Sequence, residues 1–290
     1  MIKKKIIFIV NPVSGTGKQK KIEIAIQKGI DLKHFSYEIF YTTHKGHATE
    51  IATKVNNGSA MIVAVGGDGT INEIAKTLIG KNIPLGIVPA GSGNGFARHF
   101  GIPTNINKAL GIINHFNVIA SDSAKLNDKI FISTAGCGFD AHIAGLFSHS
   151  VKRGFSTYVK LVLKEFMRYK PLEYKIIIDH EEYSRKAFLL TVANCSQFGN
   201  NAFISPMANA EDGILNITLI KPFPLSAVPG LIYSLFTKKI HQSKYVETLK
   251  GKEIFIQQSL EMAHLDGEAI NPGKEISISI LPKSLNLIVP

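Results

Sequence analysis

The chain has 290 residues, 45% hydrophobic and 19% charged, with two cysteines and a formal net charge of +11. That is enough apolar material for one large or two ordinary domains, and it excludes a disordered chain. Cys137 and Cys195 cannot build a disulfide framework, which points to a reducing, cytoplasmic compartment. The positive charge favours an anionic partner. Its basic residues are scattered, without a helix-turn-helix, RNA-recognition or zinc-finger signature, so nucleic acid is not expected. No apolar run is long enough to span a bilayer. Residues 1–10 read as lysines leading into a first strand rather than as a signal peptide.

Residues 4–11 predict an apolar strand ending in Asn11-Pro12-Val13-Ser14-Gly15-Thr16-Gly17-Lys18, ahead of a helix with Ile22, Ala25 and Ile26 inward. The loop fails the P-loop test: Gln19 follows Gly17-Lys18, and Pro12 stands where the first glycine should. Residues 37–41 predict a strand. The loop Thr43-His44-Lys45-Gly46 then precedes a helix with Ala48, Ile51, Ala52 and Val55 inward. Residues 60–65 read as a buried parallel strand running into Gly66-Gly67-Asp68-Gly69. Thr70 takes the expected N-cap position, and Glu73, three residues on, has capping-box spacing. Residues 84–89 form a further strand before Ala90-Gly91-Ser92-Gly93-Asn94-Gly95, whose third fingerprint glycine is replaced by Phe96, so the dinucleotide pattern fails.

Strands alternating with helices predict a parallel sheet covered on both faces. The loops at 11–17, 42–46, 66–72 and 90–95 then share the edge where ligands of such sheets bind. Each taken singly is an ordinary strand-to-helix turn. Together they offer backbone N–H groups and helix N-termini to a phosphate.

The rhythm changes after about residue 120. Residues 122–128 read as a polar crossover. Strand-like stretches follow at 130–135, 173–178, 187–192, 215–220, 254–258, 275–281 and 285–289, several alternating, which predicts a mostly antiparallel half. Two helices interrupt it, at 156–169 and 224–239. Each can pack on the sheet or lie on a membrane surface. Asn209-Ala210-Glu211-Asp212-Gly213-Ile214 offers hard oxygens to a cation such as Mg²⁺, or forms an Asx-type turn. Leu265-Asp266-Gly267-Glu268 places a glutamate just past a turn, where it is either solvated surface or a general base beside a bound phosphate. The histidines show no metal-binding spacing, and the loop serines Ser14 and Ser92 lack a nucleophile elbow.

Asn11-Pro12-x-Ser14-Gly15, Gly66-Gly67-Asp68-Gly69-Thr70-x-Asn72-Glu73, Pro89-Ala90-Gly91-Ser92-Gly93-Asn94, Gly138-Phe139-Asp140-Ala141, Glu211-Asp212-Gly213 and Asp266-Gly267-Glu268 occur in this order. The pattern resembles that of diacylglycerol kinases, within the diacylglycerol, sphingosine and ceramide lipid kinase superfamily, over nearly the whole chain. The resemblance implies an α/β domain at 1–123, like that of phosphofructokinases and NAD kinases. It also implies a mostly antiparallel C-terminal β-sandwich at 124–290, with the nucleotide in the cleft between the two. It further implies that Asn11, Pro12, Val13, Ser14, Gly15, Thr43, Gly66, Gly67, Asp68, Gly69, Thr70, Asn72, Glu73 and Ser92 contact ATP.

By the same resemblance Glu268 is the general base. Asn209, Asp212 and the carbonyl of Ile214 match a structural Mg²⁺ site, although Glu211 stands where Asp is common. A second Mg²⁺ accompanies ATP near Asp68. The implied reaction is transfer of the γ-phosphoryl group of ATP to the primary hydroxyl of a diacylglycerol- or sphingosine-like lipid at a membrane surface. The enzyme would be cytoplasmic and would meet the membrane during turnover. A homodimer is compatible with this reading. The rivals are a kinase of a soluble substrate, of the NAD kinase type, and a non-catalytic nucleotide- or lipid-binding protein.

Overall fold

The computed structural model describes residues 3–14, 19–55, 58–148 and 155–290. The chain divides into two compact units, one made of residues 1–121 with 283–290, the other of residues 122–282.

The first unit contains β1 (Lys4–Val10), α1 (Gln19–Gly29), β2 (Phe35–Tyr41), α2 (His47–Val55), β3 (Met61–Gly66), α3 (Asp68–Leu78), β4 (Leu85–Pro89), α4 (Gly95–His99) and α5 (Ile106–His115). Its strands run parallel in the order β2-β1-β3-β4, with Ile6 opposite Met61 and Ile62 opposite Leu85. Residue Leu287 of the returning chain pairs in parallel with Leu85. β3 and β4, and β1 from Ile6 onward, are apolar throughout because both of their faces are covered, whereas the edge strand β2 exposes Ser36 and Glu38. Ile6, Phe8 and Val10 of β1 and Met61, Val63 and Val65 of β3 bury one face against Ile22 and Ile26 of α1 and Leu110 and Ile113 of α5. The alternate residues Ile7, Ile9, Ile62 and Ala64 are equally buried, and α2 and α3 pack on β1 and β3 with Ile51, Ile71, Ile74 and Leu78 inward.

The second unit takes in most of β5 (Val118–Leu126), then β6 (Lys129–Phe131), β7 (Thr134–Gly138), α6 (Phe139–Ser148), α7 (Phe155–Phe166), β8 (Leu172–Ile178), β9 (Glu181–Ala187), β10 (Leu189–Ala193), β11 (Leu215–Ile220), α8 (Val228–Phe236), β12 (Val246–Gly251), β13 (Glu253–Gln258), β14 (Ala263–Leu265), β15 (Glu268–Ile270) and the first part of β16 (Glu275–Ile288). One antiparallel sheet runs β12-β11-β10-β7-β14-β15. A second joins β16, β13, β8 and β9, also antiparallel. Ala135, Cys137, Leu190, Val192, Ile217 and Leu219 of the first meet Tyr174, Ile176, Ile254, Ile256, Ile276 and Ile278 of the second in a single core. This is a β-sandwich.

Four local expectations are corrected. The polar crossover expected at 122–128 is strand as far as residue 126, and the chain passes from the first unit to the second within it: Ser121, Asp122 and Ser123 are fully buried in β5. The stretch 130–135 breaks into β6 and β7, because the Asp266 carboxylate accepts the N–H groups of Ile132, Ser133 and Thr134 between them. Residues 275–289 form one long strand rather than two. The helix expected at 224–239 is a 3-10 turn, Leu225–Ala227, followed by α8.

Burial holds the imidazole of His99, at the end of α4, down at about 4 from its ordinary 6.5. The unfolded chain binds that proton more readily, so stability present above about pH 6.5 is lost as pH falls towards 4. Thermal melts of His99→Gln should therefore fall less steeply between pH 6.5 and 4 than those of the parent chain; parallel slopes would exclude His99 as the source.

Candidate functional site

In the first unit the carboxyl ends of β1, β2, β3 and β4 bring the four loops into direct contact. The Asn11 side-chain amide donates to Thr70 Oγ1 at 3.1 Å, while its oxygen accepts the Val13 N–H at 3.1 Å. Ser14 Oγ donates to the Asn11 carbonyl at 2.7 Å. The loop after β1 is thus folded on itself and tied to the start of α3. Gly15, with residues 16–18, lies outside the described residues.

The capping box expected at Thr70 and Glu73 does not form. α3 begins at Asp68 with Gly67 as its N-cap and no side-chain cap. Thr70 is buried one turn in, holding Asn11. The Glu73 carboxylate instead accepts Gly46 N–H at 2.9 Å and Ala48 N–H at 3.2 Å, capping the N-terminus of α2. A carboxylate there satisfies donors that the helix cannot and complements its dipole. Glu73 therefore fixes the loop after β2 to α3. In that loop Thr43 is exposed, and its hydroxyl lies 3.0 Å from His44 Nδ1 and 3.1 Å from His47 Nδ1.

The loops after β3 and β4 meet backbone to backbone. A Cβ on Gly91 would lie 2.5 Å from the Gly67 Cα, and one on Gly66 would strike Thr70. Asn94, left-handed at φ 51 and 2% exposed, accepts the Gly91 N–H at 2.9 Å and donates to the Gly91 carbonyl at 2.8 Å. Asp68 Oδ1 accepts the Phe96 N–H at 3.4 Å, and Arg98 Nε donates to the Gly93 carbonyl at 3.1 Å. Gly66, Gly67 and Gly91 are thus demanded by the fold itself.

Gly69 is different. It is exposed in the first turn of α3, and a Cβ built on it meets nothing within 4 Å. Its backbone is not in the left-handed region that favours glycine. Neither packing nor backbone conformation asks for glycine here. A group approaching the helix N-terminus from outside would, and an anion is what such an N-terminus attracts. Ser92 is exposed on the adjoining loop, and Asn72 is half-buried along α3.

In the second unit Asp266 and Gly267 both have positive φ, 50 and 82, between β14 and β15, where Leu265 pairs with Glu268. This is the Asp-Gly hairpin turn of mirror-image type. It turns Glu268 outward, exposed at the base of β15. Asn209 Oδ1 accepts Glu211 N–H at 3.2 Å and Asp212 Oδ1 accepts Ile214 N–H at 3.0 Å, so the 209–214 segment is a pair of Asx turns. The fully buried Asp122 braces it, accepting Gly213 N–H at 2.7 Å and donating its own N–H to the Ala210 carbonyl at 2.6 Å. Sequence reading missed Asp122, whose burial no local pattern signals. The donors Asn209, Asp212 and the Ile214 carbonyl are all hard oxygens and fit Mg²⁺ in type. Among the described residues no group of three or more His, Cys, Asp or Glu side chains is placed to hold a metal, so any such site leans on amide and carbonyl oxygens.

Residues 5–126 match the diacylglycerol kinase catalytic domain, and residues 133–289 match the YegS C-terminal NAD kinase beta sandwich-like domain. The diacylglycerol kinase of Mycobacterium tuberculosis (strain CDC 1551 / Oshkosh) is 28% identical over 299 residues, which cover 99% of this chain and 95% of that protein. The probable lipid kinase YegS-like of Yersinia enterocolitica is 32% identical over 247 residues, 81% of this chain and 82% of its own length. A crystal structure of a diacylglycerol kinase from Bacillus anthracis str. Sterne superposes with a TM-score of 0.78 at 23% identity, covering 100% of this chain and 98% of that one, a likeness of fold.

The glycines offer a direct test of the loop cluster. Gly69→Ala should leave the melting temperature unchanged or slightly raised, since alanine favours a helix by about 1 kcal/mol over glycine, yet weaken binding of a non-hydrolysable ATP analogue at least tenfold. Gly91→Ala should lower the melting temperature, because its methyl meets backbone. Undiminished nucleotide affinity in Gly69→Ala would remove that residue from the binding surface.

Proposed function

We infer function from one premise: this chain belongs to the lipid kinase family defined by the diacylglycerol kinase catalytic domain and its YegS-type β-sandwich partner. It is a kinase, a phosphotransferase. In our reading the phosphoryl donor is ATP and the acceptor is the primary hydroxyl of a diacylglycerol- or sphingosine-like lipid. The observation that carries the donor half is the exposed Gly69 at the start of α3, beside the hydrogen-bonded cluster of Asn11, Thr70, Gly67, Gly91 and Asn94. This bare backbone suits a triphosphate better than any apolar ligand.

Phosphoryl transfer needs mainly positioning and charge neutralisation, with no covalent enzyme intermediate. The N–H groups at the start of α3 and the loop around Ser92 hold the phosphates. The Asn209, Asp212 and Ile214 oxygens would hold one Mg²⁺, and Asp68 would hold a second that accompanies ATP; each would supply fixed positive charge when bound. Glu268 takes the proton from the lipid hydroxyl as its oxygen attacks the γ-phosphorus in line, and ADP leaves. Glu268→Ala should lose about 10²- to 10⁴-fold in turnover with nucleotide binding intact; near-normal turnover would remove Glu268 from the reaction. A panel of diacylglycerol, sphingosine, ceramide, phosphatidylglycerol and NAD offered with labelled ATP identifies the acceptor: a labelled lipid supports the reading, and labelled NADP overturns it.

Among the described residues no helix is long and apolar enough to cross a membrane. α7 and α8 bury Leu161, Val162, Phe166 and Leu235 against the cluster around Phe139 and Phe188. Their other faces expose Leu163, Met167, Ile232, Tyr233 and Phe236, beside Lys164, Lys238 and Lys239. Apolar side chains rimmed by lysines suit the surface of an anionic bilayer, and we place the membrane contact there. Vesicles of phosphatidylglycerol should sediment the protein and vesicles of phosphatidylcholine should not. The double variant Ile232→Glu, Phe236→Glu should stay in the supernatant with both, and its co-sedimentation would move the contact elsewhere.

A further inference from the structure

Glu268 sits on a hairpin with little of its own to hold it. β14 and β15 are three residues each, and β15 is the edge strand of its sheet. Two carboxylates outside the ladder anchor it. Asp266 grips the backbone of residues 132–134 from one side. On the other, His264 is 2% exposed and its Nε2 lies 2.9 Å from Oδ2 of Asp140, itself 8% exposed. The Gly267 N–H is directed at His264 Nδ1 at 3.4 Å, an arrangement that leaves Nε2 as the nitrogen to donate to Asp140.

The Asp140 carboxylate is fully used. Oδ2 accepts from His264 and from Thr191 Oγ1 at 3.0 Å, and Oδ1 accepts the Ala141 N–H at 2.8 Å in the first turn of α6. Gly136 leaves the pair its space: a Cβ there would strike both Asp140 Oδ2 and His264 Nε2. The ring of Phe198 stands edge-on to His264 at 6.2 Å between centroids. An inward-facing, fully satisfied carboxylate–imidazole pair is rigid, and here its far end fixes the peptide N–H immediately before Glu268.

We propose that Asp140 and His264 are positioning residues for phosphoryl transfer, holding the Gly267 peptide so that the Glu268 carboxylate is presented to the acceptor hydroxyl. The inference rests on the assignment of Glu268 as the base. His264→Leu should lower kcat per folded molecule about a hundredfold, the cost of an ångström-scale misplacement, with KM for ATP unchanged. His264→Gln, which keeps an N–H for Asp140, should recover most of that loss. In a Glu268→Ala background His264→Leu should change the residual rate little, because the two act as one unit.

The same factor lost in both backgrounds, or a lowered melting temperature with undiminished kcat, overturns the proposal. Long-range ¹H–¹⁵N spectra of the unmodified protein provide a readout that requires no variant to fold. A neutral His264 protonated at Nε2 supports the pair, and an imidazolium or an Nδ1–H tautomer overturns it. Normal turnover by Glu268→Ala alone defeats the base assignment instead, a result obtained without touching His264.

Discussion

The close approach of Gly67 to Gly91 is the contact on which the first unit's loop edge depends. Two backbones can meet at that distance only without side chains between them, and Asn94 holds the meeting in place by pairing both polar groups of the Gly91 peptide. With that contact made, Asp68 reaches the Phe96 N–H, and Asn11 and Glu73 draw the other two loops onto α3. Each bond joins groups distant in sequence, so α3 acts as the post to which every neighbouring turn is tied. The division of labour among the glycines follows. Some are bare because protein lies against them, and one is bare with open space in front of it.

The second unit solves a related problem with carboxylates. Buried or half-buried Asp122 and Asp266 accept backbone N–H groups that the sheets leave unpaired, and Asp140 reaches the 266–268 turn through His264. A hydrogen bond to a carboxylate is stronger than one between neutral groups, so such an acceptor fixes the loop whose N–H it takes. In this way the exposed turns at 209–214 and 266–268 are held from beneath by acidic groups with little or no contact with solvent.

How much of this could be read from the sequence varied with how local the cause was. The parallel half was legible because residues 6–10, 61–66 and 85–89 are apolar throughout and the intervening helices carry one inward stripe. The glycine loops were legible as bare backbone. Thr70 and Glu73 misled because the capping-box spacing is satisfied by any such pair, and the tertiary partners Asn11 and Gly46 decided their roles. Asp122 read only as the start of a polar crossover, since the Gly213 N–H that its carboxylate accepts lies 91 residues away. The pairing of His264 with Asp140 spans 124 residues, and no spacing rule connects them.

The first unit is discontinuous: its sheet takes Leu287 beside Leu85, and residues 283–290 belong to it. A nascent chain leaving the ribosome therefore presents β1 to β4 long before the segment that closes their edge has been synthesised. The intervening residues 122–282 have their own core and can condense first. Final consolidation of the glycine loops is thereby linked to the arrival of residues 283–290, a high-contact-order step that makes the first unit the later of the two to mature.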